Sequence, residues 1–311
     1  MRKLVLILKL LPFLAFMNAH ALAATPVKAV VSAPAVSNVL LEMNGNIYPQ
    51  DSFPGACKDL FKGVKCQEAS YGHYHVESVR EENGEVYSKC AFSGPEGDQV
   101  LEQSWEKNGH VRKAIIENRA LGKKSELEVI NGKVFYSVTD KEGVVKKSEE
   151  KLEENLVVPS TVMAYVRPFF PSLMKGEDVQ LNVAVLDRKE SFHFNMKRER
   201  VEKGLDGEDI LVMKMEPANF VIKALINPMY FYVKPKTGEM FAFEGRSSLR
   251  RKVDGQYKEM DVRAAYQYKV NAYSEQASAQ KSSCSTGDFK LNNMKCDIKG
   301  ETNEIKTSVQ N

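Results

Sequence analysis

Asn-Gly occurs four times in the first half of this chain, at Asn44-Gly45, Asn83-Gly84, Asn108-Gly109 and Asn131-Gly132. The last three lie between runs rich in β-branched and aromatic residues. Both residues of this dipeptide tolerate the positive φ that a type I′ turn demands, so a strand that meets it folds back on its neighbour after two residues. A chain punctuated in this way is expected to be mainly β, an antiparallel meander forming a curved sheet or an open half-barrel.

Turn length also sets register. With a two-residue turn at Asn131-Gly132, Val129 faces Val134 and Leu127 faces Tyr136 on one apolar side, while Glu126 and Glu128 point the other way. The same count from Asn83-Gly84 sets Cys90 opposite Glu77 and Phe92 opposite His75. Strands are expected over residues 73–80, 86–92, 100–107, 111–118, 125–130 and 133–139. They resume over 179–186, 191–198, 210–215, 220–226, 229–233, 240–243 and 260–268, with a last turn at Asp254-Gly255.

Residues 159–176 interrupt this pattern. Val162, Met163, Tyr165, Val166, Phe169, Phe170, Leu173 and Met174 crowd together there, and Pro168 and Pro171 restrict any helix to a short or kinked one. One short helical segment is thus expected to join two halves, 39–158 and 177–273, of a β-rich domain spanning 39–273.

The ends read differently. Residues 1–23 combine Arg2, Lys3 and Lys9 with an apolar run over 4–16 and the triplet Ala21-Leu22-Ala23, the pattern of a signal peptide cleaved near Ala23. That run is shorter than the ~20 residues a membrane-spanning helix needs and contains Pro12, so no transmembrane segment is expected in the mature chain. Residues 24–38 read as a flexible leader and 274–311 as a flexible polar tail. A periplasmic or secreted location follows as the expectation, and the lack of any Asn-X-Ser/Thr acceptor favours an exported bacterial protein over a eukaryotic secreted one. Such a compartment admits disulfides: Cys57 with Cys66 and Cys284 with Cys296 each close a short loop, leaving Cys90 free and buried. A Cys66 to Cys90 bridge is the competing connectivity.

Charge narrows the partners. The chain has 44 Lys and Arg against 41 Asp and Glu, and loss of the three basic residues of the signal peptide leaves 41 against 41. This balance speaks against a nucleic-acid partner, which asks for a clustered basic surface. The one basic cluster, Arg246, Arg250, Arg251 and Lys252, reads as a solvated hairpin edge.

Few residues invite chemistry. His73, His75 and Glu77 alternate, which on a strand puts them on one face as candidate metal ligands. A partly buried face with His75 packed on Phe92 explains the same residues without a metal. There is no Gly-X-Ser-X-Gly elbow, His110 and His193 fall at a turn and in mid-strand, and Glu81-Glu82, Glu149-Glu150 and Glu153-Glu154 lie in polar runs. No catalytic residue, no cofactor and no enzymatic activity are expected. A ligand is better served by Tyr165, Phe169, Phe170 and Met174, with Tyr230 from the apolar run 220–233 on an opposite wall, lining or covering a cavity for an acyl chain. The alternative is a plug in which the same side chains fill the core. Charges at Glu126, Glu128, Arg198 and Arg200 and a single tryptophan, Trp105, speak against an outer-membrane barrel.

After the helical segment the chain runs Leu173-Met174-Lys175-Gly176-Glu177-Asp178-Val179, then Lys236-Thr237-Gly238-Glu239 and Phe243-Glu244-Gly245-Arg246. In this order of events residues 157–268 resemble uncharacterised exported bacterial β-rich proteins. More remotely they resemble the periplasmic carriers of lipoproteins and lipids, open β half-barrels with a helical lid. The resemblance implies a non-catalytic cell-envelope protein that binds an apolar ligand, either a lipid or a lipidated partner, or else an envelope protein. It offers no catalytic residues. A metal-binding protein or metal-dependent enzyme built on His73, His75 and Glu77, and a purely structural envelope protein, are the other readings.

Overall fold

A computed structural model describes residues 38–273 apart from 63, 64, 67 and 225. The expected signal peptide, residues 24–37 of the expected leader, the expected tail, Cys284 and Cys296 lie outside the described residues. The first half of the chain supplies β1 (Val39–Pro49), β2 (Gly72–Arg80), β3 (Val86–Gly94), β4 (Gly97–Lys107), β5 (His110–Asn118), β6 (Lys123–Ile130), β7 (Lys133–Thr139), β8 (Val145–Lys151) and the two-residue β9 (Leu156–Val157). Helices α1 (Val162–Val166) and α2 (Phe170–Lys175) follow. The second half supplies β10 (Val179–Val185), β11 (Glu190–Lys203), β12 (Asp209–Pro217), a one-turn helix α3 (Phe220–Lys223), β13 (Met229–Lys234), β14 (Glu239–Val253) and β15 (Gln256–Asn271).

All fifteen strands form one sheet, in the order β8-β7-β6-β5-β4-β3-β2-β1-β15-β14-β13-β12-β11-β10-β9. Neighbours are antiparallel except β9 and β10. The halves are hydrogen-bonded to each other through β1 and β15, the first and last strands, and again through the short parallel pair of β9 and β10 that flanks the helical segment. The basic cluster expected at an edge therefore lies on β14, inside the sheet, with its charges answered across β15 and nearby loops. Arg246 meets Asp261 and Glu259, Arg251 meets Asp51, and Lys252 meets Glu96.

Turn length decides where register was read correctly. At Asn108-Gly109 and Asn131-Gly132 both residues have positive φ, Lys107 faces His110, and Ile130 faces Lys133. Val129 is opposite Val134 and Leu127 opposite Tyr136, as the two-residue turn requires. At Asn83-Gly84 only Gly84 has positive φ. Its N–H donates to Glu81 O at 2.9 Å and Glu81 N–H donates to Glu85 O at 2.8 Å, which makes a three-residue loop over 82–84. The extra residue moves every pairing by one: Cys90 faces Val76 and Phe92 faces Tyr74, in place of Glu77 and His75. Asn44-Gly45 is no turn at all and sits within β1.

The run 220–226, expected as a strand, instead opens with α3, because Asn219 Oδ1 accepts from the N–H groups of Val221 and Ile222 at 2.8 and 3.4 Å and starts a helical turn. Strand β8 escaped notice because all seven of its residues, VKKSEEK, are exposed or half-buried, so no apolar alternation marks it.

The sheet curves around the helical segment, whose first turn, 159–161, meets β4 through Ser160 and whose helices α1 and α2 pack on β10–β13. Its two ends approach each other without a ladder between them. Ser148 Oγ donates to Lys189 O at 2.5 Å, Ser191 N–H donates to Glu150 Oε2 at 3.3 Å, and Tyr136 Oη donates to Glu150 Oε1 at 2.5 Å. Beside these bonds Val111, Leu127, Val134 and Tyr136 pack on Leu156, Val158, Ala184 and Leu186. Each valine or leucine among them, fully buried, contributes about 1.5–3 kcal/mol. On the outer face the segment 50–70, closed by a Cys57–Cys66 disulfide with Cα atoms 4.8 Å apart, covers Ile210, Val212 and Tyr232. The bridge fits an exported chain. Cys90 is free and buried.

Candidate functional site: a methionine-lined face beneath the helical segment

Residues 159–176 lie against the inner face of the sheet. Pro159–Thr161 begins with a local closure in which Val158 N–H donates to Thr161 Oγ1 and Thr161 Oγ1 donates to Val158 O, each at 3.1 Å. Pro168 falls in the 3-10 turn Arg167–Phe169 that separates α1 from α2, as a proline inside a helix would dictate. Gly176 ends α2 at φ 92°, with its N–H on Leu173 O and that of Glu177 on Ser172 O, both at 3.0 Å.

Val162, Val166, Phe170 and Leu173 recur at helical spacing and form the buried stripe of this segment. They pack on β10–β13 through Leu181, Phe194, Met196, Leu211, Met213 and Phe231. Seven of the twelve methionines in the chain gather here: Met196, Met213 and Met215 buried, and Met163, Met174, Met229 and Met240 partly exposed around them. Thioether side chains are unbranched and polarisable, and surfaces rich in them adapt to apolar partners of varied shape.

The segment is fastened to the opposite half of the sheet by polar groups. Ser160 N–H donates to Glu102 Oε1 and Ser160 Oγ to Ser104 Oγ, both at 3.0 Å. The Arg167 guanidinium stacks 4.2 Å over the ring of Tyr273, just past β15, and burial lowers its pKa below the ordinary guanidinium value. Gly238 makes room for it, since a Cβ there would lie 2.9 Å from Arg167 Nε. At the far end Arg198 Nη1 donates to Met174 O at 2.5 Å. Burial pushes the Glu106 carboxyl up to about 7, against the opposing charges of Arg167 and Arg80. A carboxyl titrating near neutrality is a property shared by general bases and by buried ion networks. Its charged and titratable neighbours here are two guanidinium groups and the Tyr273 phenol.

The residues singled out in the sequence divide between the two faces. Tyr165, Phe169, Phe170 and Met174 share the helical segment: Phe170 is buried, Tyr165 and Met174 are half-buried, and Phe169 stacks on Tyr165 at 5.5 Å with 37% of its surface exposed. One of the two phenylalanines inserts and one does not. Tyr230 projects from the other face of β13, beside a depression of 270 Å³ that it lines with Asn227, Pro228 and Glu244. It is therefore not the opposite wall. Phe231 and Phe243, facing inward, take that place. His73, His75 and Glu77 do share the outer face. His73 Nδ1 lies 3.2 Å from Asn46 Oδ1 and His75 Nδ1 2.8 Å from Asn44 Oδ1, the amides that face them across β1. Cys90 is on the inner face, receives the Tyr74 hydroxyl at 3.4 Å, and has its thiol pKa pushed up by burial. Among the described residues no group of three or more His, Cys, Asp or Glu converges to hold a metal.

The polar fasteners Glu102, Glu106 and Arg167 were missed in the sequence, although Val100, Glu102, Ser104 and Glu106 alternate as one face of a strand. Among the described residues no helix is long and apolar enough to cross a membrane. No family model and no curated protein matches the chain. Among solved structures it is similar to a β-barrel-like protein of a domain of unknown function from Brucella abortus, with 8% identity, a TM-score of 0.38, and coverage of 76% of this chain and 99% of that one. It is also similar to a putative outer membrane lipoprotein-sorting protein domain from Vibrio parahaemolyticus, with 9% identity, a TM-score of 0.22, and coverage of 78% and 89%.

Proposed function

We propose that this protein is a non-catalytic component of the cell envelope that binds an apolar ligand, the acyl chain of a lipid or of a lipidated partner, on the inner face of its sheet. The observation that carries this reading is the gathering of seven methionines under a short, proline-broken segment. In the closed form that segment is a plug, because Val162, Val166, Phe170 and Leu173 occupy the face themselves. It is held at its start by Ser160 and at its end by Arg198, and displacement of its apolar stripe by an acyl chain, with release of these polar contacts, would turn plug into lid. The half-exposed pair Tyr165 and Phe169 and the partly exposed Met163 and Met174 mark where a chain would enter. A carrier or sensor needs no reactive group, and Glu106 faces cations and not a nucleophile.

A tether tests the idea. Ser104 and Ser160 hydroxyls are hydrogen-bonded at 3.0 Å, so the paired variant Ser104→Cys with Ser160→Cys sets its two sulfur atoms side by side for oxidative cross-linking. The oxidised variant should fail to take up a fluorescent long-chain fatty acid that the wild type binds, and reduction should restore uptake. Equal uptake by the oxidised variant and the wild type would exclude the inner face as the site. Wild type treated with the same oxidant and reductant controls for Cys57–Cys66.

A further inference from the structure

On the outer face, beside the disulfide-closed segment 50–70, lies an open groove of 540 Å³. Its apolar wall is an aromatic row: Phe53 and Phe61 with centroids 6.1 Å apart, and Phe61 and Tyr232 at 4.5 Å. Its polar lining is cationic. Arg263 lies 4.7 Å from the Phe53 ring and 5.5 Å from the Phe61 ring, Arg200 lies 5.9 Å over Tyr232, and Lys58 and Lys62 stand exposed at the rim.

Four cations thus line the groove against two carboxylates, Glu202 and Glu244. Those carboxylates leave the cations under-compensated. Glu202 is engaged by Arg200 Nε at 2.8 Å, while Glu244 Oε1 takes the Gln50 amide at 2.8 Å and only a long 3.4 Å contact from Arg263 Nη2. Lys62 also meets Asp59 at 3.3 Å. A guanidinium whose face is covered by aromatic rings is held in plane and presents its edge, the geometry that recognises phosphate oxygens, and ammonium groups at the rim add charge without further directional demand.

We propose that this groove binds a phosphate-bearing ligand, its anionic group on Arg263, Arg200, Lys58 and Lys62 and its less polar body along Phe53 and Phe61. The site lies on the opposite face of the sheet from the methionine-lined surface and does not depend on it. A lipid headgroup and a soluble phosphate ester carry the same chemistry, and calorimetry on the purified protein separates the two sources. Glycerol 3-phosphate is titrated in one arm, and vesicles of phosphatidylglycerol in phosphatidylcholine in the other, with pure phosphatidylcholine vesicles as reference.

Binding in the first arm identifies a soluble ester, and binding in the second arm alone a headgroup. In either case Arg263→Gln should weaken it by about tenfold, the factor that one charge-assisted hydrogen bond supplies. The exposed pair Lys58→Gln with Lys62→Gln should weaken it too, and serves by itself if Arg263→Gln does not fold. The Ser104→Cys, Ser160→Cys tether should leave it unchanged. No heat in either arm, equal affinity for pure phosphatidylcholine, or binding indifferent to both sets of substitutions would overturn the assignment.

Discussion

The backbone N–H of Ser160 donates to Oε1 of Glu102 across 58 residues of chain, at 3.0 Å. Burial raises the pKa of this carboxyl, and the Ser160 hydrogen bond opposes the rise. The bond ties the start of the helical segment to β4 in one half of the sheet, while the apolar stripe of the same segment packs on β10–β13 in the other half. The segment is therefore a cross-brace inside a sheet whose ends are not joined by a ladder, and its removal would loosen both the core and the curvature.

The stripe and its neighbour predict different costs for two adjacent phenylalanines. Phe170 is 4% exposed within the core, whereas Phe169 is 37% exposed and stacks only on Tyr165. Phe170→Ala is expected to cost about 3–5 kcal/mol in urea unfolding, and Phe169→Ala about 1 kcal/mol or less. Comparable losses for the two would mean that the segment is rotated from the arrangement described.

The ion network predicts a pH slope. Glu106 has an ordinary value of 4.5, raised by burial to about 7 in the folded chain. The folded state therefore holds this proton more tightly than the unfolded state, so the group's contribution is complete below pH 4.5 and is lost as pH rises towards 7. The amount is on the order of 3 kcal/mol. Thermal melts between pH 4.5 and 8 should show wild type losing stability relative to Glu106→Gln, which has no proton to lose. Parallel curves for the two proteins would contradict a buried, cation-facing carboxyl.

Gly45 predicts a coupled pair. The Tyr266 ring lies over it on the inner face, and a Cβ there would come within 2.5 Å of the ring. Gly45→Ala should therefore cost about 1–3 kcal/mol by overpacking. In the background of Tyr266→Ala the same change should be nearly neutral, so a double-mutant cycle should return a large coupling energy. Simple additivity would argue against the contact.

The cysteines predict a contrast in reactivity and stability. Burial raises the Cys90 thiol, so iodoacetamide at pH 8 should leave it unmodified in the native protein and label it rapidly in guanidinium. Replacing Cys57 and Cys66 by serine opens a short loop and should lower stability by about 2–3 kcal/mol. It should also loosen the segment that bears Phe53 and Phe61, visible as earlier amide exchange there. Native-state labelling of Cys90 at the rate of a free thiol would place it at the surface.

Local chemistry made the antiparallel meander readable in advance, because Asn-Gly at 108–109, Asn-Gly at 131–132 and Asp-Gly at 254–255 enforce positive φ wherever the chain turns, whatever packs around them. The proline-broken helical segment, the Cys57–Cys66 bridge and the buried Cys90 were readable for the same reason: each follows from spacing over a dozen residues or fewer, or from the polarity of its immediate neighbours. The Asn83-Gly84 register was not, since the same dipeptide serves a two- or a three-residue loop and the pairing across β2 and β3 selects between them. One residue of slip was enough to separate Cys90 from His75 and Glu77.

Tertiary structure alone decided the rest. Seven methionines between positions 163 and 240 become one surface only when four strands and a helical segment meet. Glu102, Glu106 and Arg167 look like ordinary surface charges until the sheet curves over them, and β8 is recognisable only by its partner β7, because its side chains bury too little to leave a periodic mark. Turn conformation depends on a few adjacent dihedrals, which the residues there dictate. Burial of charge and convergence of distant side chains depend on curvature and strand order, which no short stretch of the chain encodes.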